Sequence, residues 1–160
     1  MKSINEAQET ADRLKEMIEQ GMNKKLIRNY YTLMGRIELE KNNYSKAVEF
    51  FKKAMPLLSV TSGSHLPLAY STGLAYYKAG DLENARREYE RIISHTSGRQ
   101  DYGDLYAKSF YMLGKIYEQQ GNKVRAIENY DKFLDLWKNA DPGFPEVDDA
   151  RKRLTGLQVP

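Results

Sequence analysis

A glycine recurs in register through this chain, each time inside a stretch whose apolar spacing is helical. In FYMLGKIYEQQGNKVRAIENYDKFL, residues 110–134, Gly114 is followed by Tyr117, Gly121, Ala126 and Tyr130. Gly73 is followed at the same four offsets by Tyr76, Gly80, Ala85 and Tyr89. Gly35 is followed by Glu38, Asn42, Ala47 and Phe51, with Glu38 the one clear departure. An interior helix glycine costs about 1 kcal/mol relative to alanine, so three in register call for a shared compensation. Self-similarity of this kind marks a repeat architecture, in which each unit buries its apolar face only against its neighbours.

Each unit reads as two helices. The break falls at Asn42-Asn43, Gly80-Asp81 or Gly121-Asn122. Gly and Asn tolerate the left-handed conformation that ends a helix, and Asp or Asn then caps the next one. The second helix carries a small residue early (Ala47, Ala85, Ala126) and an aromatic four positions later. Small residues on facing helices let two backbones approach closely. The loss at each glycine is thereby offset by packing of the first helix against the second.

This pattern resembles the tetratricopeptide repeat. The matching residues are Met34-Gly35, Ala47, Phe51 and Ala54, then Gly73, Tyr76, Gly80, Ala85 and Tyr89, then Leu113-Gly114, Tyr117, Gly121, Ala126 and Tyr130. Departures are Glu38 in place of Tyr, Thr72 in place of Leu, Ile92 and Phe133 in place of the later Ala, and the missing proline after the second helix. The resemblance covers roughly residues 25–138. It implies an all-α, right-handed α-solenoid of antiparallel helix pairs, with repeats over 25–58, 66–95 and 104–139 in a single domain. The glycines are separated by 38 and 41 residues (73 − 35 and 114 − 73), against a family period of about 34. Some helices are therefore extended, or SVTSGSH (59–65) and TSGRQDYG (96–103) are longer loops, and their Ser, Thr and Gly content favours loops.

Flanking segments complete the domain. INEAQETADRLKEMIEQG (4–21) places Ala7, Ala11, Leu14, Met17 and Ile18 on one helical face, which predicts a leading helix packed on the first unit. ADPGFPEVDDARKRLTGL (140–157) predicts a capping helix over 144–156, with Val147, Ala150 and Leu154 toward the last repeat and Arg151, Lys152 and Arg153 in solvent. A terminal repeat needs such a cap over its exposed apolar face. The segment from Tyr130 to Leu154 also resembles the closing part of repeat regions in large bacterial proteins, which implies that the chain is a piece of a longer one.

Composition excludes several functions. Apolar residues make up 41% and charged residues 29%, with a net charge of +3 and both signs interleaved, which is too mild for a nucleic-acid footprint. No apolar run reaches the roughly 18 residues of a membrane span, and the first residues lack a secretory apolar core; the expected setting is cytoplasmic. Cysteine is absent, so disulfides and thiolate metal sites are excluded. His65 and His95 sit beside the two expected loops, in different units and without a partnering nucleophile, and read as exposed or loop-capping residues. No phosphate-binding glycine pattern occurs, and carboxylates sit near Lys or Arg at helical spacing, as in Glu49, Lys52 and Lys53. Phe133, Leu134 and Trp137 read as core. No enzyme, cofactor or metal is expected.

A surface remains. The first helix of each pair lines the inner wall of such a stack. By register that wall comprises Asn29, Thr32, Arg36 and Leu39, then Tyr70, Leu74, Tyr77 and Lys78, then Lys108, Tyr111, Lys115 and Glu118. This aromatic and basic set suits a protein or peptide partner that is acidic or ends in a carboxylate, with neither nucleic acid nor membrane. The resemblance also allows one comparison. Chaperone-binding members grip a terminal carboxylate with five Lys, Asn and Arg side chains, and the corresponding positions here are Thr32, Arg36, Ser71, Lys108 and Met112. Only Lys108 is of the type expected at its own position, which argues against that clamp. The competing reading is a structural module that self-associates as a homo-oligomer, through a repeat end or through Ala7, Leu14 and Ile18 of the leading helix.

Overall fold

The computed structural model describes residues 2–21, 23–58, 65–95, 98–139 and 143–159. Among the described residues all regular structure is helical. Helix α1 spans Lys2–Glu19, α2 Ile27–Glu40, α3 Tyr44–Ala54, α4 Leu66–Lys78, α5 Leu82–Ser94, α6 Gly98–Asp101, α7 Gly103–Gln119, α8 Lys123–Leu136 and α9 Pro145–Gln158. Short 3-10 turns at Lys24–Leu26 and Met55–Leu57 lead into α2 and close α3. The chain divides into two compact units, residues 1–85 and 86–160, with the boundary inside α5.

Each helix pair ends its first member in the same way. Asn42, Gly80 and Gly121 take positive φ values of 60°, 82° and 73°. The next amide then donates back across the turn: Asn43 N to Glu38 O (2.8 Å), Asp81 N to Tyr76 O (2.9 Å) and Asn122 N to Tyr117 O (2.8 Å). This is the six-to-one bond that satisfies a carbonyl left over at a helix end. The following helix is capped by Asp81 Oδ1, which accepts from Asn84 N at 3.1 Å, and by Asn122 Oδ1, which accepts from Arg125 N at 3.2 Å. Asn43 makes no such cap. Its Nδ2 donates instead to Glu38 Oε2 at 2.8 Å.

That bond explains Glu38, the residue that breaks the repeat pattern. The side chain is buried, and its carboxylate accepts from Asn43 and from Lys41 Nζ at 3.4 Å. A carboxylate at this depth is tolerated because both partners are supplied by the turn it faces. The corresponding Tyr117 hydroxyl donates to Glu90 Oε1 at 3.0 Å, while Arg125 lies over its ring.

Gly35 and Gly114 are close-approach sites. A Cβ added at Gly114 would lie 2.6 Å from Tyr130 Cε1, and one at Gly35 would overlap the Phe51 ring. The helix-pair alanines Ala47, Ala85 and Ala126 and the aromatics Phe51, Tyr89 and Tyr130 are all fully buried.

In the first unit, α1 lays Ala7 and Ala11 against Met34 and Ile37 of α2, and α3 shares a core with Leu68 and Ala75 of α4. In the second unit, α7 packs on α8, and α9 buries Val147 and Ala150. A ring series runs from Tyr111 through Phe133 and Trp137 to Phe144, with centroids 5.4, 5.6 and 4.8 Å apart.

Two expectations change. Residues 59–64 and 96–97 of the expected loops, and the 140–142 start of the capping segment, lie outside the described residues. The described part of the second loop contains a helical turn, Gly98–Asp101, in which Arg and Gln are good helix formers. His65 is buried rather than exposed, at 4%. It sits at the start of α4, where its carbonyl accepts from Ala69 N at 2.8 Å.

Candidate interaction surface

The residues expected on the inner wall meet different fates in the two units. In the first unit, Asn29, Thr32 and Arg36 come together. They line a cleft of about 310 Å³ whose other walls are Leu33, Leu58, Pro67 and Leu68. Asn29 and Arg36 are exposed, and Thr32 is half-buried, its hydroxyl donating to the Arg28 carbonyl at 2.9 Å. Leu39 turns away and packs against the core of Ala47, Phe51 and Leu68. On α4, Tyr70, Leu74 and Tyr77 are half-buried. Lys78 is exposed and faces a different hollow, beside Asn42, Asn43 and Lys46.

In the second unit the α7 positions face the cap. Lys108 Nζ pairs with Glu146 Oε1 at 3.5 Å and lies 5.9 Å from the Trp137 ring centroid. The Tyr111 hydroxyl donates to Asp149 Oδ2 at 2.7 Å. Lys115 sits over the Tyr111 ring. Glu118 Oε2 accepts from Tyr130 at 2.7 Å and from Arg153 Nη1 at 3.0 Å, and Arg153 Nε also donates to Asp149 at 2.6 Å. Arg153, expected in solvent with Arg151 and Lys152, is therefore half-buried and ties α9 to α7.

This network sets the protonation of its members. Burial, then the hydrogen bond to a carboxylate, pushes both Tyr111 and Tyr130 well above the ordinary phenol range. Burial alone would raise Asp149. The hydrogen bonds from Arg153 and Tyr111 and the charge of Arg153 outweigh it and hold the carboxyl below its usual value. No cluster of three potential metal-ligating side chains occurs among the described residues. No helix among them is long and apolar enough to cross a membrane.

One feature escaped the sequence reading. Lys24, Lys25 and Arg28 surround a cleft of about 540 Å³ together with Ile27, Pro56, Leu57 and Leu58. The segment NKKLIR (23–28) carries the signal, but it lies at the start of the first unit, ahead of Asn29, where the expected wall begins.

Helix pairs joined by a left-handed Asn or Gly, with small-to-aromatic contacts of Gly35 on Phe51 and Gly114 on Tyr130, define a class of helical repeat. Two family profiles described as tetratricopeptide repeat match residues 29–55 and 70–141. The chain belongs to the tetratricopeptide repeat family, whose repeats serve in protein–protein interaction and scaffolding. It is 30% identical over 102 residues to the Intraflagellar transport protein 88 homolog of Homo sapiens, covering 63% of this chain and 11% of that protein. It is 29% identical over 112 residues to the Heat shock protein sti1 homolog of Schizosaccharomyces pombe, covering 68% and 17%. It is 23% identical over 108 residues to the UBA domain-containing protein 7 of the same yeast, covering 62% and 14%. The chain thus spans less than a fifth of the length of each of these curated relatives. All three are eukaryotic, whereas the C-terminal segment had resembled bacterial proteins.

Proposed function

We propose that the chain is a non-catalytic binding module that holds a peptide or protein partner on the exposed face of α2, in a scaffold or assembly role. The observation that carries this reading is the cleft that gathers Asn29, Thr32 and Arg36 over an apolar wall of Leu33, Leu58 and Leu68. Polar side chains that fix orientation above an apolar floor are the usual make-up of a recognition site. Tyr70, Leu74 and Tyr77 of α4 extend the available surface within the same unit. In this reading Lys108, Tyr111 and Glu118 of α7 hold the cap α9, and Arg36 is the cation that meets the partner.

The test compares wild type with Arg36→Glu. Affinity capture from a native lysate, read by quantitative mass spectrometry, identifies proteins lost by the variant. Each is then purified and titrated directly against both forms. The expected result is a variant as helical as wild type that binds the partner about tenfold more weakly or worse. Equal affinity for every protein recovered would overturn the reading.

A further inference from the structure

The cleft at Lys24, Lys25 and Arg28 and the cleft at Arg36 share one wall residue, Leu58. Among the described residues no Asp or Glu lines either cleft, and the four cations have no ion pair. This sets them apart from Lys15, Lys41, Lys108 and Arg153, each of which pairs with a carboxylate. Their placement is also unfavourable to the fold. Lys24, Lys25 and Arg28 cluster at the N-terminal end of α2, where the helix dipole repels cations and attracts anions. The apolar component is equally open: Leu57 is 44% exposed and Pro56 is exposed beside it.

Spacing narrows the ligand further. Arg28 and Arg36 lie eight residues apart on one helix (36 − 28), a rise of about 12 Å. An extended peptide covers about 12 Å in roughly four residues. Its residues i, i+2 and i+4 project to one side. Resting on the reading of α2 as the docking face, we infer that the partner presents an extended acidic segment with two carboxylates four residues apart and an aliphatic residue midway. The carboxylates meet Arg28 and Arg36, and the aliphatic side chain rests against Leu58.

The experiment titrates the full chain into a peptide carrying a neutral dye, with Gly-Ser flanks around Asp-Ser-Leu-Ser-Asp, and reads fluorescence anisotropy. The controls are Asp-Asp-Leu-Ser-Ser, of equal composition and charge, and the neutral Asn-Ser-Leu-Ser-Asn. The spaced peptide is expected to bind about fivefold tighter than the clustered one, and Arg28→Glu to weaken it about tenfold, with Arg28→Gln between. Circular dichroism checks that both variants remain folded. Equal binding of spaced and clustered peptides overturns the inference, as does an unchanged affinity in Arg28→Glu or no saturable binding. Full displacement by inorganic phosphate, but not by chloride at equal ionic strength, also overturns it by revealing a general anion site. The two readings fail separately. If Arg36→Glu abolishes binding and Arg28→Glu does not, the α2 docking face stands and the spacing falls. If neither matters while the peptide binds, both fall.

Discussion

Replacing Gly114 by alanine isolates the contact that closes the α7–α8 pair. In an open helix this change is favourable by about 1 kcal/mol, because alanine is the better helix former. At Gly114 the new Cβ would stand 2.6, 2.7 and 3.0 Å from three ring atoms of Tyr130. Carbon atoms settle at about 3.5–4.0 Å, so the ring must retreat by about 1 Å. It has little room: Tyr130 is fully buried, and its hydroxyl is held by Glu118 at 2.7 Å. Overpacking of this kind costs about 1–3 kcal/mol. Gly156, in α9, supplies the control, since nothing lies within 4 Å of a Cβ built there. The two alanine variants should therefore differ by about 1–3 kcal/mol in the cost of overpacking, with Gly156→Ala neutral or stabilising. Urea unfolding followed by fluorescence measures this. The single tryptophan, Trp137, lies in the same unit as both glycines. A double-mutant cycle with Tyr130→Leu should show coupling of opposite sign to the clash, since a smaller side chain accepts the methyl. Equal shifts at the two glycines, or zero coupling, would refute the packing account.

Three further outcomes follow from the cap. Arg153→Met leaves Glu118 and Asp149 without their charged donor and should lower stability by about 1–2 kcal/mol in the same urea assay; a change below about 0.3 kcal/mol would class the bridge with inert surface pairs. The depressed carboxyl of Asp149 contributes stability that is present above about pH 4, the unfolded value, and is lost as pH falls; the acid unfolding midpoint of Arg153→Met should therefore lie at higher pH than that of wild type. The raised hydroxyls of Tyr111 and Tyr130 contribute stability that is present below about pH 10 and is lost as pH rises further. Tyrosine side-chain carbon NMR should show these two of the twelve tyrosines staying neutral until the second unit unfolds, and normal titration of either would contradict the buried hydroxyl–carboxylate pairs.

The helix pairs were legible because their determinants are local. Gly114 and Tyr130 stand sixteen residues apart (130 − 114), and the left-handed Asn42, Gly80 and Gly121 fix where each pair folds back. A narrow set of residue types at a fixed offset carries each instruction, and three copies repeat it. The burial of His65 is set instead by its tertiary surroundings, which no local pattern encodes, and at Gly98–Asp101 the helix propensity of Arg and Gln stands against the loop content of the residues around it.

The site was legible as a face but not as an occupied face. Helical periodicity places Lys108, Tyr111, Lys115 and Glu118 on one side of α7, and the same pattern arises whether that side meets a foreign peptide or the next helix of its own chain. Tyr111 reaches Asp149 across thirty-eight residues and Arg153 reaches Glu118 across thirty-five, distances at which periodicity carries no information. Charge offers the better discriminator. Where α9 covers α7, acids and bases come in matched pairs, as Glu146 with Lys108 and Arg153 with both Asp149 and Glu118. Along α2 the bases Arg28 and Arg36 lack such acids among the described residues and line clefts with apolar walls. A fold selected for stability alone gains nothing from cations gathered at a helix N-terminus. The inferred partner would supply from outside the chain the acid that these cations lack beside Leu57 and Leu58.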